Sequence, residues 1–250
     1  MFPHFFSTLP TYGLLKALAF LLGLWCAWRL SLRSGLDPLA VLRLSACCLL
    51  AAALGGRLLM LIQNSARFMQ HPGELLLPST WQPAGAFYGG LLAGILTTAI
   101  GVRRFKLPGL VTADVIAPSL ALGQSIVRVG CFAAGCCWGR ETSLPWAVVF
   151  TDPEAHRLTG VPLGIPLHPT QLYQSAAQAV FFVILYRQFH RPHHPGAVLG
   201  LYFVLEGVSR FLVDFVRASA YPNPFGWALT DMQWLALAIA AAGMVLITLY

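Results

Sequence analysis

The chain has 250 residues, of which 57% are hydrophobic and 10% are charged, with a formal net charge of +7. Soluble domains carry about 25% charged residues, so this composition excludes an ordinary soluble domain and favours a protein of the lipid bilayer. The basic residues lie between apolar runs and form no single patch, so we expect no nucleic-acid partner. No linker or low-complexity tract divides residues 1–250, which predicts a single polytopic membrane domain.

Seven apolar runs are long enough to cross about 30 Å of hydrocarbon as helices. They cover residues 11–30, 39–62, 85–103, 112–129, 169–187, 196–217 and 229–249. The longest connection, residues 130–168, is rich in glycine and proline and predicts a small head over the helix ends. The expected fold class is therefore an all-α integral membrane protein with seven transmembrane helices and a small extracytoplasmic head.

Lysine and arginine gather in alternate connections between the runs, and the positive-inside rule assigns those connections to the cytoplasm. The clusters are Arg29, Arg33 and Arg43; Arg103, Arg104 and Lys106; and Arg187 and Arg191. We therefore expect the N-terminus outside and the C-terminus in the cytoplasm. No basic signal region precedes the first run, so we expect it to be retained as a span.

Two arginines lie in apolar runs where lipid would otherwise be expected. Arg128 ends the run 117–129, and Arg210 lies inside the run 197–216. An arginine at bilayer depth costs about 2.5–3.5 kcal/mol on insertion scales, so it persists where it faces a polar interior and has a partner. Lipid phosphate is the anion that a membrane supplies in bulk. The pair therefore indicates a site for phospholipid headgroups.

Arg210 is one of four charged residues on a single helical face of the sixth run. The others are Glu206, Asp214 and Arg217, at spacings of four, four and three residues with alternating sign. One interpretation is a structural ladder of ion pairs that holds helices together. We favour a functional interpretation, because intramembrane ionisable residues usually serve function, although Arg217 lies near the outer interface and can extend toward water.

Three further residues are candidates with structural alternatives. Arg57 follows two glycines in an apolar run and is either an anion ligand or an interfacial arginine. Tyr88 lies in the glycine-rich start of the third run, where a buried core tyrosine is the common alternative. His168 opens HPTQLY before the fifth run, as a proton relay or as a helix-entry residue. Asp114 is expected to favour the dipole at a helix start.

Three of the six cysteines, Cys131, Cys136 and Cys137, lie in the glycine-rich segment RVGCFAAGCCWGR after Arg128. Adjacent cysteines pair only in a strained ring, so a disulfide would join Cys131 to one of the other two. A metal site would need a fourth ligand such as His156 or His168, and the spacing is not a recognised zinc pattern. Reactive thiol, disulfide and plain packing all remain open, and we expect no metal or soluble cofactor.

From about residue 12 to residue 243 the sequence resembles the prolipoprotein diacylglyceryl transferase family. The matching motifs follow the family's order: YG near the first span, GGR at Gly55–Arg57, GG at Gly89–Gly90, D-IAP at Asp114–Pro118, the signature at Arg128–Arg140, HPTQLY at His168–Tyr173, RFLVDFVR at Arg210–Arg217, and MQ at Met232–Gln233. Each motif is short, and their shared order carries the resemblance.

The resemblance implies an enzyme of the bacterial cytoplasmic (inner) membrane that moves a diacylglyceryl group from phosphatidylglycerol to the lipobox cysteine of a prolipoprotein. It needs no cofactor, and its partners are an anionic phospholipid, a prolipoprotein peptide and the bilayer. The residues expected to bind the lipid headgroup are Arg57, Arg128, Gly139, Glu206 and Arg210. Those expected to serve catalysis are Arg128, Arg210, Tyr88 and His168.

The chain departs from the family's usual pattern at several positions. The departures are Cys131 for asparagine, Cys136 and Cys137 for a glutamate–hydrophobic pair, Tyr88 for histidine, Gln174 for glutamate and Glu206 for tyrosine. These departures leave three alternatives to the family's reaction open. The chain could be a diverged paralogue with another donor or acceptor, a membrane thiol–disulfide protein that uses the three cysteines, or a lipid-binding scaffold without enzymatic activity.

Overall fold

The computed structural model describes residues 4–5, 9–71, 73, 87–218 and 229–248, without the side chains of residues 4–5, 9–10, 67 and 87–88. The helices of this part are α1 Thr11–Arg33, α2 Pro38–Gln63, α3 Ser65–Gln70, α4 Phe87–Arg104, α5 Gly109–Ala134, α6 Pro153–Thr159, α7 Thr170–Phe189, α8 Ala197–Asp214 and α9 Asp231–Thr248. The strands are β1 His4–Phe5, β2 Leu9–Pro10, β3 Val148–Val149 and β4 Pro166–Leu167.

Each of the seven predicted spans coincides with a long helix, so the helical fold is confirmed. Four of them, α1, α2, α5 and α9, are long and apolar enough to cross a membrane. The other three, α4, α7 and α8, carry arginines, glutamines or carboxylates that make them more polar. The count of seven spans and the topology of the termini therefore stay predictions.

Two short antiparallel strand pairs accompany the helices of this mostly helical chain. Strand β1 pairs with β2, and β3 pairs with β4 in the register Val148↔Leu167 and Val149↔Pro166. Strands of two residues are too short to show the alternation of apolar and polar residues that predicts a strand.

The predicted head has a small apolar core of its own. Phe150, Ala155, Val161 and Leu167 are buried there, and Phe132 and Trp138 pack against them. Helix α6 is fixed at both ends, since the Asp152 side chain accepts from Glu154 N at 2.8 Å and Gly160 closes the helix at φ +75°. The head is therefore a folded element that holds fixed positions over the end of α5.

Two compact units make up the chain, one of residues 31–109 and the other of residues 1–30 with 110–250. In the first unit α2 and α4 cross through glycines. A Cβ at Gly55 would lie 2.5 Å from the Gly89 carbonyl oxygen, and a Cβ at Gly89 would lie 2.3 Å from the Gly55 oxygen. The glycine-rich start of the third predicted span therefore serves close helix packing.

In the larger unit, α5, α7 and α8 share a core that includes Ala117, Phe181, Leu185 and Val198. Buried Asp114 on α5 joins two of these helices, because its carboxylate accepts from Gly196 N at 2.7 Å and from Leu199 N at 2.8 Å. It satisfies otherwise unpaired N–H groups at the start of α8. Asp114 therefore has the predicted structural role at a helix start. The helix start that it stabilises is that of α8, whereas the sequence predicted its own helix, α5.

Helix α9 packs on α8 at positions where neither helix has room for a side chain. A Cβ at Gly243 would lie 2.5 Å from the Gly200 carbonyl oxygen and 2.8 Å from Val204 N, and a Cβ at Gly207 would lie 2.5 Å from the Ala236 oxygen. The obstructing atoms belong to the backbone and cannot rotate away. These glycines fix the position of α8 in the larger unit.

Large apolar side chains remain exposed along the helices in patterns typical of contact with lipid. On α2, Leu50, Leu54, Leu58 and Ile62 recur every four residues, and each is at least 60% exposed. Four such side chains in a row form an apolar stripe that a soluble monomer rarely leaves open to water. The stripe supports membrane insertion of this helix.

We predict that Gly243→Ala destabilises the protein and that Gly94→Ala does not. The added methyl group at residue 243 would meet backbone atoms, and overpacking of this kind costs about 1–3 kcal/mol. Nothing lies within 4 Å of a Cβ at Gly94, so this second helical glycine is a matched control. Thermal unfolding in detergent measures both variants. Equal melting temperatures for Gly243→Ala and the parent chain would contradict the proposed packing.

Candidate functional site

The structure brings together the two arginines on which the sequence argument depended. Arg128 lies in the last two turns of α5 and Arg210 near the end of α8, and both are half-buried. They interact electrostatically with each other, and Arg210 also interacts with Arg217. Like charges at this range repel, and the repulsion is strongest where water is excluded. The arrangement therefore favours an anion between them.

The carboxylates beside Arg210 have neutral partners. The Gln178 amide on α7 donates to the Glu206 carboxylate, and the Thr230 hydroxyl donates to buried Asp214 at 2.5 Å. Within residues 87–218, which the structure describes without a gap, no salt bridge joins any two of the four charged residues from 206 to 217. The ladder is therefore not formed by direct ion pairs, and Asp214 and Glu206 attract Arg210 only at longer range.

Two tyrosines, which the sequence argument did not single out as site residues, complete the surroundings of Arg128. Tyr12 at the start of α1 and Tyr202 on α8 both interact electrostatically with Arg128. Tyr202 is buried, and its hydroxyl accepts from the Gln124 amide at 2.6 Å. Tyr202 could have been predicted from the sequence, because it lies one helical turn before Glu206 on the same helical face.

Gly139 joins the signature segment to two other parts of the site. Its N–H donates to the His168 carbonyl oxygen at 3.0 Å, and Arg140 N donates to Val216 O at 2.8 Å. A Cβ at residue 139 would lie 2.5 Å from His168 Cβ and 2.6 Å from Val216 O. Only glycine fits this crossing. The predicted role of Gly139 in headgroup binding stays a prediction, and its packing links the ends of α5 and α8 to the start of α7.

His168 is held by a chain of side-chain hydrogen bonds. The Trp146 indole N–H donates to the Tyr173 hydroxyl at 2.8 Å, and that hydroxyl lies 3.2 Å from His168 Nδ1. An indole N–H only donates, so the tyrosine oxygen accepts from it, and the tyrosine proton is available to Nδ1. When Tyr173 donates to Nδ1, a neutral His168 carries its proton on Nε2. This tautomer makes His168 a hydrogen-bond donor, whereas the sequence argument expected a base or relay.

The three cysteines of the signature form a cluster of free thiols. The Sγ atoms of Cys131, Cys136 and Cys137 all lie within 4.8 Å of one another, with no disulfide between them. The predicted bridge from Cys131 is therefore absent from this structure. Side chains of α7 hold the turn, since Gln171 donates to Cys136 O at 2.6 Å and Thr170 to Cys137 O at 2.7 Å.

The thiols of this cluster differ in acidity. Hydrogen bonds from the Cys131 and Cys136 thiols hold the pKa of Cys137 well below its usual range, and the charges of Arg217 and Arg128 lower it further. The pKa of Cys136 is raised, because its thiol takes part in the hydrogen bonds that favour the neutral form and because it is buried. Cys137 is therefore the acceptor of the hydrogen bonds within the cluster.

Two predicted site residues belong to the smaller unit. Arg57 lies on α2 and is half-buried, directly after Gly56, which is buried. Tyr88 lies in the first turn of α4, and its side chain is outside the described part of the structure. Their roles as headgroup ligand and as base stay predictions.

Comparison with known proteins identifies the family of the chain. The family model described as prolipoprotein diacylglyceryl transferase matches residues 2–249. Two curated relatives bear the name phosphatidylglycerol–prolipoprotein diacylglyceryl transferase. The relative from Ruegeria pomeroyi is 33% identical over 91% of this chain and 86% of its own length. The relative from Solidesulfovibrio magneticus is 36% identical over 93% of this chain and 87% of its own length. The chain belongs to the prolipoprotein diacylglyceryl transferase family.

Proposed function

We propose that the protein transfers a diacylglyceryl group from phosphatidylglycerol to the lipobox cysteine of prolipoproteins. The observation that carries the proposal is the pair Arg128 and Arg210, which come from two helices and lie in electrostatic range of each other. Membership of the family and the names of its curated relatives support the same donor and acceptor over the alternatives of another acceptor or a thiol–disulfide function.

The proposed setting is the bacterial cytoplasmic membrane, crossed seven times. Long helices at all seven predicted positions support this topology, and four of them have the length and apolarity of spans. The alternation of basic connections supports an N-terminus outside, a C-terminus in the cytoplasm and an extracytoplasmic head. In this topology the signature segment and His168 lie on the outer side, where prolipoproteins present their acceptor cysteine.

In the proposed donor complex the two guanidinium groups bind the lipid phosphate. Arginine binds phosphate oxygens through paired, charge-assisted hydrogen bonds, which suits an anion held between Arg128 and Arg210. Glu206 is proposed to accept from hydroxyls of the glycerol headgroup. Its neighbour Gln178 supports this role, since its Oε1 atom is buried and has no hydrogen-bond partner among the described residues. The site thus offers cations to the phosphate and acceptors to the glycerol.

The proposed reaction is a displacement at carbon. The acceptor thiol loses its proton, the thiolate sulfur forms a bond to the glyceryl carbon, and the bond from that carbon to the phosphate oxygen breaks. Glycerol phosphate leaves with the electron pair, and the product is a thioether. Negative charge grows on the leaving phosphate, so positive groups fixed around that position stabilise the transition state more than the ground state. Arg128 and Arg210 supply that charge.

His168 is proposed to donate a hydrogen bond from Nε2 to the developing anion. The hydrogen-bond chain from Trp146 through Tyr173 supports this role, because it is compatible with the tautomer that has a proton on Nε2. Tyr88, the other candidate of the sequence argument, stays the proposed proton acceptor.

We predict that Arg128→Gln and Arg210→Gln each lower the rate of diacylglyceryl transfer by about 10²–10³-fold, the usual cost of removing one group that stabilises transition-state charge. The measurement is formation of diacylglyceryl-peptide from phosphatidylglycerol and a lipobox peptide by purified protein. Arg157→Gln is the matched control, because Arg157 is an exposed arginine of α6 at 3.9 Å from Glu154 and should leave the rate unchanged.

Thermal unfolding of the same three variants in detergent shows that each is folded. Transfer at the parental rate by folded Arg128→Gln or Arg210→Gln would sink the proposed phosphate site. No product from the parent chain, beside an active relative, would sink the proposed function itself.

We predict that His168→Gln retains more transfer activity than His168→Ala. Glutamine keeps an N–H donor and cannot titrate near neutral pH, so it replaces a hydrogen-bond donor but not a base. The measurement is the transfer rate of both variants as a function of pH, with unfolding temperature as the check on folding. Equal losses in the two variants would exclude the donor role and restore the alternative of a base.

A further inference from the structure

The cluster of Cys131, Cys136 and Cys137 has no role in the reaction described above. Its three sulfur atoms come from the last turn of α5 and from the turn that follows it. Cys137 has φ +61°, in the left-handed region that residues with a Cβ rarely adopt. The surrounding structure maintains this strained conformation. As a result, the adjacent thiols of Cys136 and Cys137 both lie close to the thiol of Cys131.

The distances are close to those of a zinc site. Zinc–sulfur bonds are about 2.3 Å long, so tetrahedral coordination places sulfurs about 3.8 Å apart. The three Sγ atoms already lie within 4.8 Å of one another. Small rotations of the side chains would therefore complete three of four zinc ligands. No fourth histidine, cysteine, aspartate or glutamate among the described residues joins the group.

Three protein ligands and an open fourth position are typical of a catalytic zinc site, whereas structural sites have four protein ligands. Thiolates are also the ligands that zinc and copper(I) prefer over harder groups. Arg128 and Arg217 interact electrostatically with Cys137, and Arg128 also with Cys131. These cations offset the negative charge of a zinc ion bound by three or four thiolates.

We propose that Cys131, Cys136 and Cys137 bind one zinc ion, and that its fourth position takes the sulfur of the acceptor cysteine. The second part rests on the proposed function. Zinc binds the acceptor as a thiolate, and the thiol proton passes to the proton acceptor proposed above. The sulfur lone pair then forms the bond to the glyceryl carbon while the carbon–oxygen bond to phosphate breaks. No electron is gained or lost by the metal. The sequence predicted no metal here, because a fourth ligand such as His156 or His168 would be needed and the spacing is not a recognised zinc pattern.

The first experiment measures zinc in the purified protein by mass spectrometry after exchange into metal-free buffer. We expect one equivalent in the parent chain and loss of zinc in Cys131→Ser, Cys136→Ser and Cys137→Ser. Cys47→Ser and Cys48→Ser are the matched controls, because these residues form the chain's other adjacent pair. Their zinc content should equal the parent's. Absence of bound zinc from the parent chain would overturn the proposal, as would a disulfide among the three cysteines.

A second measurement needs no variant and so does not depend on the folding of serine substitutions. The parent chain is alkylated with and without added zinc, and the modified cysteines are identified by mass spectrometry. We expect zinc to protect Cys131, Cys136 and Cys137 and to leave Cys47 and Cys48 unprotected. Equal alkylation of all five with and without zinc would overturn the site. Protection by copper(I) alone would overturn the choice of zinc.

The fourth position is tested with cobalt(II) in place of zinc, because thiolate-to-cobalt absorption reports the number of bound sulfurs. We expect a lipobox peptide to increase this absorption and the same peptide with serine in place of cysteine to leave it unchanged. An unchanged spectrum with the cysteine peptide would overturn acceptor binding. Zinc and peptide binding without any diacylglyceryl product would instead refute the proposed function and leave the metal site standing. Parental transfer rates in zinc-free serine variants would refute the metal's part in the reaction.

Discussion

The repulsion between Arg128 and Arg210 is the interaction on which the proposed site depends. Two cations in a helical bundle would move apart or draw in carboxylates unless the backbone prevented it. Here the carboxylates nearest in sequence to Arg210 are held by neutral amide and hydroxyl donors. The glycine contacts of α8 with α9 leave α8 little freedom to shift. The packing thus holds the charges near each other, and an anion is the partner that relieves the repulsion.

The head and the buried carboxylate of Asp114 hold the helices of this site at opposite ends. Asp114 joins α5 to the start of α8, and Gly139 joins the segment after α5 to the segment after α8. Contacts at both ends of the pair α5 and α8 fix the spacing between these helices along their length. The residues between these contacts include Arg128 and Arg210. Preorganisation of this kind is what allows fixed charges to stabilise a transition state without rearrangement during the reaction.

Hydropathy and charge were sufficient to predict the seven long helices, because a bilayer demands about twenty apolar residues per span and penalises every charge within it. The same penalty singled out Arg128, Arg210 and Glu206. Hydrogen bonds between distant residues could not be predicted in this way. Gln178 and Glu206 meet because α7 and α8 pack side by side, and neither spacing nor composition specifies which polar groups face each other across that contact. The tautomer of His168 depends in the same way on Trp146, which lies in the head.

The cysteine cluster shows the limit of motif spacing most clearly. Metal-site patterns assume that each ligand points outward from a regular turn, and an adjacent pair fits none of them. The left-handed conformation of Cys137 changes the direction of its side chain, and this conformation is invisible in the sequence. Three soft ligands then lie near Arg128, which the proposed phosphate site also uses. The proposed site combines a cationic pocket for the leaving group with a metal for the attacking sulfur. Such a site would activate both reactants of one displacement. The reaction is then compatible with cysteines at positions where the family resemblance implies asparagine and glutamate.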